Sequence, residues 1–323
     1  MTQYSCRTVP MLKRSLLTLA LCALPLAQAA ATEGGLGRPI TGIQGTSYSG
    51  LIPPTPGWNL QIGYVHYAGE IGGQREIPVG GVASLGLDAT FDMMSATGLY
   101  IWDTGEGRWN FASMATVPFI YIDATANVQL GPVQRQVNDV GNGLFDAFFA
   151  PVIASYHIDK LRHVSMSLYV YAPTGDYEAG ALANPSLNNW TFSPTFGYTQ
   201  LFQEGTLEWS STAAVDIYTK NDDTDYENGA VFRLDSVLIK RFGNGWGFGG
   251  AGGWIEQLED DKGATADRLN GFKGHSLALG PIVTYAKKWD GGQVEFSARY
   301  LTEFDVKNRL EGDPFMLSAS FQF

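Results

Sequence analysis

The side chains of this 323-residue chain whose types suit chemistry are few: one His-x-Ser pair, two acidic clusters and three further histidines. His163 and Ser165 stand two apart, so on a β-strand they share a face, where an imidazole could take the proton of a nucleophilic hydroxyl. Met166 and Ser167 follow, and no Asn on that stretch stands ready to orient the imidazole. A polar strand face explains the pair better than catalysis does, and no enzyme activity is expected. The run Asn221-Asp222-Asp223-Thr224-Asp225-Tyr226-Glu227-Asn228-Gly229 has the oxygen density of a calcium loop. Counted from Asp223, however, it lacks glycine at the sixth position and carries Leu234 where a bidentate Glu should close the site. Glu259-Asp260-Asp261 is similar, and both clusters read as solvated loops with at most weak affinity for divalent cations. The other histidines, His66, His157 and His275, show no metal-ligand spacing, and no nucleotide loop or cofactor motif is present.

The segments that must position these side chains alternate. From Trp58 onward the chain divides into stretches of about 11 to 16 residues with large apolar and small or polar residues at alternate positions. Val164, Met166, Leu168, Val170 and Ala172 fall on one face; His163, Ser165, Ser167, Tyr169 and Tyr171 fall on the other. Leu207, Trp209, Ala213, Val215 and Ile217 likewise oppose Glu208, Ser210, Thr212 and Asp216. A period of two places one set on each side of a sheet. The length exceeds the usual five or six residues of a soluble strand and suits a tilted membrane-crossing strand of about 9–11 residues. Strands are expected at 58–70, 87–102, 109–123, 143–158, 162–174, 188–202, 206–218, 230–242, 245–258, 275–288, 292–305 and 314–323.

The intervening connections alternate too. Those at 103–108, 159–161, 203–205, 243–244 and 289–291 are short; those at 71–86, 124–142, 175–187, 219–229 and 259–274 are long. Trimming every connection at one end is the habit of outer-membrane barrels, whose short turns face the periplasm. The expected fold is therefore all-β, a single transmembrane antiparallel β-barrel of about twelve strands. Aromatic residues recur near segment ends (Trp58, Trp109, Tyr121, Trp254, Tyr300), as girdles at the two interfaces would require. Outer-membrane lipid and lipopolysaccharide are the expected surroundings. The terminal stretch Phe315 to Phe323 is apolar at every second position, a pattern for recognition by the barrel-assembly machinery through Phe323.

Composition agrees. Only 16% of residues are charged while 45% are hydrophobic, against roughly 25% charged in an ordinary soluble domain. Residues 1–29 have the form of a signal peptide: Arg7, Lys13 and Arg14, an apolar run from Leu16 to Ala27, then Ala27-Gln28-Ala29 for cleavage. A lipoprotein reading at Cys22 is disfavoured because Leu21 before it is large. Cleavage would remove both cysteines and leave 18 Lys+Arg against 32 Asp+Glu, a net charge of −14 that excludes a nucleic-acid partner. Residues 30–57 are rich in Gly, Ser, Thr and Pro without alternation; they form either a periplasmic tail or a plug inside the barrel comprising 58–323.

The stretch Ala172-Pro173-Thr174-Gly175-Asp176-Tyr177, followed by Asn188-Asn189-Trp190-Thr191 and Ser193-Pro194, resembles the outer-membrane protein family involved in the meta-pathway of phenol degradation. Asp146 and Pro151 upstream fit the same resemblance. It implies a barrel that passes hydrophobic or aromatic compounds across the outer membrane. Read physically, the motif is structural: Pro173 ends ladder donation, Gly175 supplies a turn and Asp176 can accept from nearby backbone N–H groups.

The residues opposite the lipid-facing set give the expected lumen. Ser165, Ser167, Tyr169 and Tyr171 come from one strand, Thr191, Ser193 and Thr195 from the next. Glu208 and Asp216, Arg233 and Asp235, and Glu295 and Arg299 complete a wall carrying both signs of charge, expected to pair within or across strands. A passive channel for small apolar or aromatic solutes is the favoured function. The alternative is a structural or surface-interaction barrel with a closed lumen.

Overall fold

Alternate residues of the long segments meet different media. Met166, Leu168, Val117, Phe119 and Leu238 are exposed, while Ser165, Thr116, Ile120 and Val237 beside them are buried. The computed structural model describes residues 37–79, 82–105, 107–130, 133–268 and 271–323, so the expected signal peptide at 1–29 and the start of the 30–57 segment lie outside the described residues. Its strands are β1 (Gly57–Val79), β2 (Val82–Ile101), β3 (Trp109–Leu130), β4 (Val133–Leu144) and β5 (Phe148–His157). Then follow β6 (Arg162–Tyr171), β7 (Thr191–Phe202), β8 (Leu207–Tyr218), β9 (Val231–Arg241) and β10 (Trp246–Gln257). After a short helix α1 (Ala264–Arg268) come β11 (His275–Trp289), β12 (Gly292–Tyr300), β13 (Thr302–Lys307), β14 (Glu311–Gly312) and β15 (Phe315–Gln322).

All pairings are antiparallel, and the sheet closes on itself where β1 meets β15, from Asn59↔Gln322 to His66↔Phe315. Three staves are interrupted. β4 and β5 both pair with β3, β12 and β13 both pair with β11, and β14 and β15 both pair with β1. Counting each interrupted stave once gives twelve, as the alternation predicts.

Two of the expected long loops are instead strand. Residues 71–79 and 82–86, and 124–130 and 133–142, continue the ladders of β1–β2 and β3–β4 out to Val79↔Val82 and Leu130↔Val133. Pairing is lost only at a register shift between Ile71 and Glu76, where Gly72 and Gly73 break the apolar pattern that would otherwise have marked a strand. The expected connection at 306–313 likewise contains the end of β13 and all of β14.

Aromatic pairs sit at the short-turn end, directly across neighbouring strands: Trp58 with Tyr100, Trp109 with Tyr156 and Trp246 with Tyr285, their ring centroids 4.9–5.1 Å apart. Such amphipathic rings favour the headgroup level of a bilayer. Among the described residues no helix is long and apolar enough to cross a membrane. The strands do the crossing, which satisfies every ladder group without water.

Candidate functional site

Inside the barrel the chain's own N-terminal stretch is bound along the wall. At the long-loop end Arg38 is buried; its guanidinium forms an ion pair with Asp146 and donates to Thr191 Oγ1 at 3.1 Å and the Asn189 carbonyl at 2.8 Å. Farther along, Thr41 Oγ1 donates to Glu303 at 2.5 Å, and Arg299 and Arg309 donate to the carbonyls of Gly42 and Pro39 at 3.0 and 2.7 Å. Toward the short turns, the Tyr48 amide donates to Glu208 at 2.6 Å, Ser165 Oγ donates to the Ser49 carbonyl at 2.7 Å, and Gly50 bonds Thr199 and Ser155. The segment therefore traverses the interior from one end to the other.

The wall holding it is polar. Ser165, Thr191, Glu208, Asp216, Arg233, Asp235 and Arg299 are buried; Ser167, Tyr169, Tyr171 and Glu295 are half-buried. All of these charges but Arg299 are ion-paired. Arg233 lies 3.5 Å from Asp216 and 3.8 Å from Asp235, and Arg241 bridges Glu208 at 2.7 Å and Glu295 at 3.2 Å. Arg241 closes the charge balance near the short turns and also lies 4.7 Å over the Tyr48 ring. It sits at the last residue of β9, where alternation is weakest, and the sequence reading missed it. Arg299 is engaged by the Gly42 carbonyl, while the partner of Glu295 is Arg241.

The opposite wall corrects the expectation of a polar lumen. On β1–β3, Val65, Tyr67, Ile71, Leu87, Phe91 and Ile120 are buried on the face turned away from exposed Ile62, Met94 and Phe119. They belong to one apolar cluster with Ala183 and Phe272 from the long loops and Ile40 and Ile43 from the internal segment. Tyr67 and Phe91 stack at 5.1 Å, and the Tyr67 hydroxyl donates to Glu303 at 2.7 Å. These staves are apolar on both faces, so sorting polar from apolar residues could not find the inner one. The available signal was that both odd and even positions of 60–67 include large apolar residues. Closer to the short turns the inward positions become small and polar, and Gln61, Ser95, Thr97, Ser297 and Ser318 are half-exposed there.

The Pro-Thr-Gly-Asp motif lies in the connection after β6 and organises the break between β4 and β5. Asp146, fully buried in that break, accepts from Gly175 N at 3.0 Å, Ser186 Oγ at 2.7 Å and Leu187 N at 3.1 Å as well as from Arg38. Thr174 Oγ1 accepts from Ala147 N, Asp176 accepts from Leu144 N, and Tyr177 accepts from Asn221. Pro173 directly follows the Ala172 amide that bonds the Ala147 carbonyl, the last rung beside β6. Asn189 accepts from Arg38 and Thr191, the Trp190 amide donates to Thr219, and Pro194 lies within β7 opposite Leu168. The motif ties a long loop to the internal segment through one carboxylate.

The remaining candidates are occupied by their neighbours. Ser165 donates to the internal segment, and His163 Nδ1 lies 2.7 Å from His157 Nδ1, so neither is arranged as nucleophile and base. In the acidic loops, Asp225 pairs with Lys220 and Asp261 accepts from Gly229 N and Gln257. Among the described residues no group of three His, Cys, Asp or Glu is placed to hold a metal.

Comparison with known proteins yields one family model, described as "Putative MetA-pathway of phenol degradation", which matches residues 73–319. None of the curated proteins matches the sequence. Among solved structures, an outer membrane channel from Pseudomonas putida F1 is similar with a TM-score of 0.68 at 12% identity, covering 86% of this chain and 99% of that one. More distant are a Pseudomonas aeruginosa FadL homologue (TM-score 0.40, 10% identity, 91% and 97% covered) and the CymD monoaromatic hydrocarbon channel (0.42, 10%, 93% and 98%).

Proposed function

The chain belongs to the "Putative MetA-pathway of phenol degradation" family of outer-membrane barrels, and from that premise we propose that it is a passive channel for small hydrophobic or aromatic compounds. The observation that carries this reading is the apolar inner wall of β1–β3. A water-filled pore has no use for buried Val65, Phe91 and Ile120 facing its interior. An apolar solute does, taking the place of Ile40 and Ile43 against them when the internal segment moves aside, because each Å² it removes from water is worth about 25 cal/mol. The half-exposed polar residues nearer the periplasmic turns then favour release. No nucleotide or cofactor site is needed, since the solute moves down its own gradient.

The internal segment acts in this reading as a plug that must yield for passage. A second reading, a barrel whose lumen stays closed and whose loops serve surface interactions, draws on the same segment, because its bonds run the length of the interior. Reconstitution in liposomes separates the two. The channel reading expects small aromatics to enter loaded vesicles faster than they enter empty-lipid controls, with sugars of similar size lagging. Equal rates with and without protein for both solutes would leave the closed barrel standing. Replacing His163 and Ser165 by alanine should create or abolish no esterase signal.

A further inference from the structure

At the periplasmic end, the orientation of Asn110 fixes where protons sit in a pair of buried imidazoles. The Asn110 amide nitrogen donates to Thr104 Oγ1 at 3.2 Å and to the Gly105 carbonyl at 3.3 Å, so its oxygen is the atom facing His157. That oxygen lies 2.6 Å from His157 Nε2, which must therefore carry a hydrogen. In neutral His157 the lone pair is then on Nδ1. His163 Nδ1 is 2.7 Å away, so it is the donor, and the rings meet edge-on with centroids 4.9 Å apart. His163 Nε2 is left as a buried nitrogen with no hydrogen-bond partner. The arrangement holds one hydrogen between the two Nδ1 atoms, and further backbone bonds run from His157 to Ile52 and from His163 to Lys160.

The internal segment rests on this pair. Gly50 is clamped between Ser155 Oγ, 2.9 Å from its carbonyl, and Thr199 Oγ1, 3.0 Å from its amide. A Cβ on Gly50 would stand 2.5 Å from the His163 carbonyl, so the two backbones touch. Ser165, two residues along β6, bonds Ser49, and the Ile52 backbone bonds His157. The charged or titratable groups around the pair are already committed. Asp159 is ion-paired with Arg162 at 2.6 Å, Arg108 donates to the Tyr156 hydroxyl at 3.2 Å, and Glu208 behind Tyr48 is held by Arg241. Lys160 lies in the exposed turn between β5 and β6, with its backbone bonded to His163.

We propose that the His157–His163 pair is a proton-operated latch on residues 48–52, and that acid releases this end of the internal segment. A first added proton goes to His163 Nε2 and leaves the shared hydrogen in place; a second, on His157 Nδ1, puts hydrogens on both Nδ1 atoms and a positive charge on each ring. At their present separation the shared bond is lost, the cations repel, and at least one ring must turn. A turn of the His157 ring breaks its bond to the Ile52 backbone, next to Gly50 on its seat against the His163 carbonyl. The inference rests on reading the segment as a plug, but it is tested on the segment rather than on transport.

Thr46 is exposed within the same stretch and is a site for a reporter. The full chain with Cys6→Ala, Cys22→Ala and Thr46→Cys would be purified from outer membranes, labelled with a nitroxide and followed by electron paramagnetic resonance from pH 8 to pH 4. The expected result is a reversible mobile component that grows as the pH falls below about 6, the imidazole range. His163→Asn and His157→Asn should each flatten this profile. Asn110→Asp, which sets a carboxylate beside His157, should move the midpoint up by about one pH unit. Circular dichroism at both pH extremes distinguishes segment release from loss of the barrel. A flat wild-type profile, or an unchanged step in both histidine variants, overturns the latch. Absence of aromatic uptake at every pH with the step intact would instead overturn the channel reading and leave the latch in place.

Discussion

Gly42 of the internal segment and Gly253 of β10 are in backbone contact: a Cβ added to Gly253 would stand 2.2 Å from the Gly42 amide nitrogen. No side chain fits there, and the obstructing atoms are backbone, which cannot swing aside. Gly253→Val should therefore push the segment off the wall. The outer face of β10 is untouched, so the barrel should still form. The expected outcome is a higher conductance in planar bilayers at neutral pH than wild type shows. Unchanged conductance with a normal sheet signal would mean that the segment does not limit passage.

Asp146 offers a second handle on closure. Its carboxylate takes hydrogen bonds from Arg38, Gly175, Ser186 and Leu187 in a fully buried setting. Asp146→Asn removes the charge opposite Arg38 and points an amide donor at groups that are themselves donors. Breaking a buried pair from one side costs about 3–5 kcal/mol. Loop 172–190 should become sensitive to protease added to intact cells, and thermal unfolding should begin earlier. Arg38→Met should produce a smaller effect in the same direction, because Asp146 keeps its three other donors.

The barrel was legible because its physics is repetitive. One face of every stave meets hydrocarbon, so Met166, Leu168, Trp209 and Ile217 reveal strand, length and face at once. The extensions of β1–β4 beyond the bilayer were hidden, since no lipid enforces alternation there and Gly72-Gly73 imitates a turn. The polar wall could be read from β6–β9, where Glu208, Asp216 and Arg233 alternate with apolar neighbours. The apolar wall could not, because Val65 and Tyr67 alternate with Ile62 and Tyr64, and hydropathy carries no mark for which of two apolar sets faces inward. Asp146 and Arg38 meet only through the fold, 108 residues apart.

The apolar wall makes a selective prediction. Phe91 stacks on Tyr67 inside the barrel and contributes nothing to the lipid face. Phe91→Asn replaces an aromatic surface with an amide that prefers water. Truncating a buried Phe costs about 3–5 kcal/mol when nothing refills the space. The barrel's long ladders should absorb that loss. Uptake of small aromatics by reconstituted vesicles should fall several-fold while ion conductance stays level or rises. A parallel fall in both would indicate a general collapse of the lumen and count against a role for this wall in solute choice.

Glu303 joins the two walls, and its donors can be removed one at a time. Thr41 bonds one oxygen from the internal segment; Tyr67 and the Gly312 amide bond the other from the barrel. Tyr67→Phe keeps the ring stacked on Phe91 but deletes a donor to a buried carboxylate, at a cost of about 1–3 kcal/mol. Thr41→Val deletes the donor on the segment side instead and weakens the segment's hold without touching the barrel's own bonds. Thermal unfolding in detergent should therefore drop more for Tyr67→Phe, whereas conductance should rise more for Thr41→Val. Similar conductance changes in both variants would mean that Glu303 steadies the barrel alone and does not fasten the segment.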